Sequence, residues 1–306
     1  MRLGSLCSGY GGLEAGLGQV LDIEPVWCSE IDKDASKVLA THHPNVPNLG
    51  DLTALDWHQV EPVDIICAGF PCQPFSHAGK RQGADDERAI FEYIAEAIGV
   101  LRPGLVVLEN VPGILTLGGV SVVGTLAGLG YDARWGIVRA SDTGAPHRRA
   151  RWFCIAEPAD ADGKRSERWK SLAKDCLVGS ANRREPLGES KSSLRGDGAA
   201  ADASDFGHER AGDSRRRRIG STNGSGPAAD AWGCYTPAVE RWERILGRPA
   251  PAPTDDRGLR PEFVEWMIGL DEGWVCDVGL SRTAALRLLG NGVLPAQAAL
   301  AVDLLL

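Results

Sequence analysis

A strand, a glycine-rich turn and a helix open this chain, and that succession admits few folds. Residues 3–6 read as a buried strand. Ser8-Gly-Tyr-Gly-Gly12 follows, and residues 12–21 read as a helix. Glycines between a strand and a helix let a ligand approach the backbone and the helix N-terminus. The offsets are not those of the dinucleotide fingerprint, because no third glycine follows at the required spacing. The alternation continues downstream. Residues 25–29 and 64–68 read as strands, and 33–42 as a helix. From Arg88, Ile90, Tyr93, Ile94, Ala97, Ile98 and Leu101 keep helical spacing. Residues 105–108 form a strand, 120–129 a helix, and 134–139 with 152–156 two further strands that could pair as a hairpin. This pattern predicts an α/β fold, with a Rossmann-like, doubly wound and mostly parallel sheet.

Regularity breaks at Glu157. The stretches at 159–163, 196–202 and 220–227 are rich in Gly, Ser, Asp and Ala and lack the periodicity of a core. Order is expected again at Trp232 and in a helix over 240–246. A Pro-rich linker at 248–253, helical spacing at Phe263, Val264, Trp266 and Met267, and a closing helix from Ala296 follow. Three parts result: 1–156; 157–257, a smaller irregular region; and 258–306. A chain of 306 residues with 43% hydrophobic content can bury a sizeable core. Its net charge of -8 divides unevenly, into +1 over 157–257 and -9 over the remainder. The middle carries the run 215–218 of four arginines, which suits phosphates or a solvated surface equally. No apolar run long enough to cross a bilayer and no basic-then-apolar start is evident, so a cytoplasmic location is expected. The 8 cysteines are scattered without metal-ligand spacing, and no metal is expected.

One cysteine stands apart. Ala68-Gly-Phe-Pro-Cys-Gln-Pro-Phe-Ser76 places Cys72 in a turn stiffened by Pro71 and Pro74, immediately after an apolar strand. A thiol held rigidly at a strand's end suits a nucleophile; a small apolar cysteine in a proline turn is the alternative. Glu30 follows the second strand, where a Rossmann-like sheet sets an acid against ribose hydroxyls.

The segment around Cys72 resembles the catalytic motif of the DNA (cytosine-5)-methyltransferases. Ser5-Leu-Cys-Ser-Gly-Tyr-Gly-Gly12 looks like that family's cofactor loop, and Glu109-Asn-Val111 like its acidic motif. Arg149-Ala-Arg151 resembles the paired arginines, and Gly290-Asn-Gly-Val293 the closing motif. All stand in the family's order over residues 1–156 and 258–306. The resemblance makes 1–156 a catalytic and cofactor-binding domain, 157–257 a target-recognition region, and 258–306 a segment returning to the first. The resemblance implies S-adenosylmethionine as cofactor, with Glu30 on the ribose, Asp51 on the adenine amino group, and Ile31 and Leu52 lining the adenine pocket. Cys7, Ser8, Gly9, Tyr10, Gly12, Leu13 and Pro71 would complete the site, and Asn291 and Val293 would touch the amino acid end. The family usually has an aromatic residue at Cys7 and often one at Ile31, so stacking area is reduced here.

Cys72 would add to carbon six of cytosine, making carbon five nucleophilic enough to take a methyl group. Glu109 would serve ring nitrogen three if burial raises its pKa. Arg149 and Arg151, two apart at a strand's start, can face one side. The resemblance gives Arg151 the base's carbonyl oxygen and Arg149 the ordering of the catalytic loop. Gln73, Ser76, Lys80, Arg81 and Arg88 would meet DNA, and the target cytosine must be flipped out of the duplex. The expected partner is double-stranded DNA, the expected form a monomer, and the setting either restriction-modification or an orphan phage methylase. A transfer RNA methyltransferase, a non-catalytic DNA-binding protein and a small-molecule methyltransferase stay open as alternatives.

Overall fold

The computed structural model describes residues 1–71, 87–117, 119–159 and 232–306. A six-stranded sheet forms the centre, in the order β2-β1-β3-β4-β6-β5. β1 (Arg2–Leu6), β2 (Glu24–Ser29), β3 (Ile65–Gly69) and β4 (Leu105–Asn110) are parallel. β5 (Tyr131–Arg139) and β6 (Ala150–Pro158) form the antiparallel hairpin that the spacing allowed, with β6 also antiparallel to β4. The chain leaves β1 for β2 on one side and returns to β3 on the other. The sheet thus has a switch point at β1, where a Rossmann-like sheet opens its ligand crevice.

Both faces of the sheet are covered, which explains why β4 is apolar and buried throughout Leu105–Leu108. α3 (Glu87–Leu101), α4 (Ile114–Leu117) and α5 (Gly119–Gly128) lie on one face, where Ile94, Ile98, Leu126, Val106 and Leu108 share a core. On the other face Leu13 and Leu17 of α1 (Gly12–Leu17) pack with Ala298 and Val302 of α9 (Pro295–Leu305). α1 stops four residues short of its expected end, as Gln19 and Val20 N–H bond to the Gly16 and Leu17 carbonyls, three residues back instead of four. Gly16 allows the two helices to meet: a Cβ there would lie 2.4 Å from the Pro295 carbonyl oxygen.

A third cluster joins α2 (Lys33–His42) to the C-terminal elements α6 (Thr236–Leu246), α7 (Pro261–Ile268) and α8 (Arg282–Asn291). Trp242 and Trp266 are buried in it together with Tyr10 of the glycine turn. The Glu265 carboxylate sits inside and accepts backbone N–H bonds from Gly273, Val275 and Cys276. Residues 282–305 do form a stretch long and apolar enough to cross a membrane, contrary to the reading of the bare sequence. It is broken between α8 and α9, and 56% of its apolar window is buried within the fold.

Candidate active site

Loops leaving the carboxyl ends of β1 to β4 surround a cleft of about 530 Å³. The turn after β1 forms its floor. Cys7 has φ 52°, left-handed for a non-glycine residue, and Gly9 and Gly11 are also left-handed. Cys7 N–H bonds to the Ser29 carbonyl at 2.9 Å, which holds the turn against the end of β2. Past β2, the Glu30 carboxylate accepts Gly9 N–H on one oxygen and Asp32 N–H on the other, each at 2.8 Å. These two bonds fix Glu30 between the glycine turn and the start of α2.

Every residue expected at the cofactor lines this one cleft: Cys7, Ser8, Gly9, Tyr10, Gly12 and Leu13, then Glu30, Ile31, Asp51, Leu52 and Pro71, then Asn291 and Val293. Ile31 is an apolar side chain 73% exposed there. Leu52 is buried, and Asp51 caps the short helical turn Leu52–Ala54 through Thr53. Those Thr53 hydrogen bonds hold the Asp51 carboxyl below its usual range. Tyr10 contributes more than a lining. Its hydroxyl donates to the Val293 carbonyl at 2.7 Å, and its ring lies flat against the closing motif. A Cβ on residue 292 would fall 1.9 Å from that ring, so only glycine fits.

The other end of the cleft is charged. Glu109 follows four apolar residues of β4 and is buried, and Arg151 enters from the paired strand β6. Arg151 Nε lies 2.8 Å from Glu109 Oε1, with side chains 12% and 8% exposed. Burial pushes the Glu109 carboxyl up, against the pull of Arg151 and Arg149. Arg149, two residues before Arg151, donates to the carbonyls of Gly290 and Gly292 at 2.7 and 2.6 Å. Among the described residues its partners are therefore the closing motif; the loop it was expected to order lies outside them. Burial, then the neighbouring Arg151, lowers the Arg149 guanidinium to about 10.

Cys72, Gln73, Ser76, Lys80 and Arg81 lie outside the described residues, as does the Arg88 side chain. Pro71, the last described residue before Cys72, borders the cleft with Glu109 and Arg151. The buried Asn110 donates to the Phe70 carbonyl at 3.0 Å, pinning the exit of β3 beside the end of β4. Among the other cysteines, burial raises Cys7, Cys28 and Cys154 to about 12, which leaves those thiols protonated.

A model of the C-5 cytosine-specific DNA methylases matches residues 1–299. The chain belongs to that family. It is 36% identical over 155 residues to a type II methyltransferase of Lactococcus lactis subsp. cremoris, covering 49% of this chain and 40% of the relative. A Moraxella type II methyltransferase is 35% identical over 157 residues, covering 49% and 37%. The chain thus spans about two fifths of the length of the curated relatives it matches. The solved Dnmt2 methyltransferase of S. pombe superposes with a TM-score of 0.60 at 18% identity, over 99% of this chain and 98% of that one. That likeness establishes the Rossmann-like methyltransferase fold.

Glu14, Asp32 and Arg287 also line the cleft, and the reading of the sequence had not placed them there. Arg287 pairs with Asp32 at 2.6 Å and Asp34 at 2.9 Å, tying α8 to α2 across the cleft's edge. For Glu14 a signal was available, since it is an acid among Leu13, Gly16 and Leu17 on the face of α1 that packs inward. Arg287 had none, because an arginine one helical turn before Asn291 reads as ordinary surface.

Proposed function

We propose that this protein transfers a methyl group from S-adenosylmethionine to carbon five of a flipped-out cytosine in duplex DNA. The Glu109–Arg151 pair carries the reading: an acid with a raised pKa, held by a cation, beside the turn that leads to Cys72.

The cleft suits the cofactor. Glu30 is fixed where ribose hydroxyls would reach its remaining lone pairs, and Ile31 stands exposed where an adenine ring would cover it. Asn291 and Val293 would hold the amino acid end, and Asp51 the adenine amino group. When bound, S-adenosylmethionine supplies an electrophilic methyl group on sulfur.

The chain's own residues do the rest. Cys72, as thiolate, adds to carbon six of the base, and electron density moves to carbon five and ring nitrogen three. Glu109 in its protonated form hydrogen-bonds nitrogen three, and burial favours that form. Arg151 holds the carbonyl oxygen of the base while keeping Glu109 in place. Carbon five takes the methyl group and then loses its proton to water, and Cys72 leaves. Residues 157–257 would read the target, and Gln73, Ser76, Lys80, Arg81 and Arg88 would meet DNA around the opened pair. A protective role beside a restriction enzyme, or an orphan phage role, fits this chemistry in a cytoplasmic monomer.

The test is covalent trapping on duplex DNA containing 5-fluorocytosine, in the presence of S-adenosylmethionine. Wild-type protein should form a stable adduct and Cys72→Ala none, with cofactor binding retained in the variant. Absence of an adduct with wild type, or an adduct that survives Cys72→Ala, would overturn the proposal. Bisulfite sequencing of DNA from expressing cells then gives the target sequence.

A further inference from the structure

Beneath the glycine turn lies a polar cluster that the methyl transfer does not use. Glu14, in the first turn of α1, is 8% exposed. One carboxyl oxygen accepts a hydrogen bond from Ser5 Oγ, and Ser5 Oγ lies 2.7 Å from Ser8 Oγ. The other oxygen, Oε2, is buried without a hydrogen-bond partner among the described residues. No Lys, Arg or His among those residues forms an ion pair with Glu14. Around it stand Cys28 of β2, Cys67 of β3, Tyr10, Glu30 beyond β2, and His43 after α2, which lines the same crevice. Burial raises the Glu14 carboxyl pKa, and the negative charge of Glu30 raises it further.

Ser5, Ser8 and Glu14 all line the cofactor cleft. Three oxygens in a row can be polarised in either direction, because hydroxyl hydrogens rotate. With Glu14 ionised, Ser8 donates to Ser5 and Ser5 to Glu14, so Ser8 offers the cleft a lone pair. With Glu14 protonated the chain can reverse, and Ser8 offers an O–H instead. A cationic N–H donor in the cleft selects the first arrangement. It also supplies the positive charge that this buried acid lacks among the described residues.

We propose that Glu14 is the buried counter-charge for the cofactor's ammonium group, felt through Ser5 and Ser8, and that it releases its carboxyl proton when that group binds. The proposal rests on the cleft being the S-adenosylmethionine site. The proton passes from the carboxyl group to the buffer, the ammonium keeps its own protons, and no other bond is made or broken. Affinity therefore rises with pH over the range in which Glu14 of the free protein titrates, above its ordinary value of 4.5. Glu14 is a positioning residue and does not touch the methyl group.

Calorimetric titration with unreactive S-adenosylhomocysteine, at about pH 6 in two buffers of different ionisation enthalpy, counts the protons released. Wild type should release up to about one proton per ligand bound, and 5′-methylthioadenosine, which lacks the amino acid end, should release none. Glu14→Gln should abolish the release and weaken binding at least about tenfold. Ser8→Ala keeps Glu14 and its Ser5 hydrogen bond but breaks the chain, so it too should abolish the release if the Gln variant fails to fold. Wild type that binds S-adenosylhomocysteine without releasing a proton, or equal release from a folded variant, overturns the proposal. If wild type binds neither ligand, the cofactor reading itself falls, and this proposal falls with it.

Discussion

Glu109 and Glu14 are both buried acids at the edge of one cleft, yet their surroundings treat them differently. Glu109 faces a guanidinium at 2.8 Å, with a second arginine close behind. Glu14 faces two serine hydroxyls, and one of its oxygens has no hydrogen-bond partner among the described residues. Burial raises the carboxyl pKa in both. Next to Glu109 the counter-charge is built into the fold, and the role we propose for it is to serve a substrate. Next to Glu14 no cation stands among the described residues, and in our proposal the counter-charge arrives with a ligand. The contrast teaches that burial alone does not make an acid catalytic; the charge placed opposite it decides what its proton responds to.

The largest effect that could break this contrast is on turnover. Glu109→Gln should reduce methyl transfer to duplex DNA by roughly 10²–10⁴-fold while cofactor affinity changes little. A Gln variant with unimpaired turnover would remove Glu109 from the chemistry. Arg151→Ala removes the cation opposite Glu109 and should cost up to about 3–5 kcal/mol in denaturant unfolding at a pH where Glu109 is ionised, and less where it is protonated. Adding Glu109→Gln to it should recover part of that loss, because no buried charge is then stranded. Gly292→Ala acts where the two regions join. Its Cβ would collide with the Tyr10 ring, so a loss of about 1–3 kcal/mol is expected, together with weaker cofactor binding.

The smallest effect sharpens the comparison through pH. A carboxyl group whose folded pKa is raised adds stability that is fully present below its unfolded pKa and is lost as pH climbs through the folded value. For Glu14 that loss begins near 4.5 and continues upward. Glu14→Gln cannot ionise, so its melting temperature relative to wild type should be constant below that pH and increase above it. Glu109→Gln should gain less, since it strands the Arg151 guanidinium. Equal gains from the two variants would mean that the built-in cation makes no difference.

Much of this architecture was legible before any coordinates. Strands and helices were readable because short apolar runs and helical spacing are local patterns, and the glycine turn and Glu30 carry their meaning at short range. The candidate site was legible where a motif concentrates several residues, as with Glu109-Asn-Val and Arg149-Ala-Arg. What escaped was pairing across long separations. Arg149 on the carbonyls of Gly290 and Gly292 joins residues 141 and 143 apart, and Tyr10 on Val293 spans 283. No local spacing encodes such contacts. Glu14 escaped for another reason: its position in the sequence marks it as buried, but only its neighbours reveal that no cation pairs with it among the described residues.

The amino-acid sequence by itself determined the alternating layers and the glycine turn at the switch point, and it named the candidate site residues, because these depend on propensity and chemical type. Tertiary structure alone decided which carboxylate received an arginine and which received only hydroxyls. That assignment is made where β6 pairs with β4 and where α1 closes over β1, since electrostatic partners are chosen by distance in space and not along the chain.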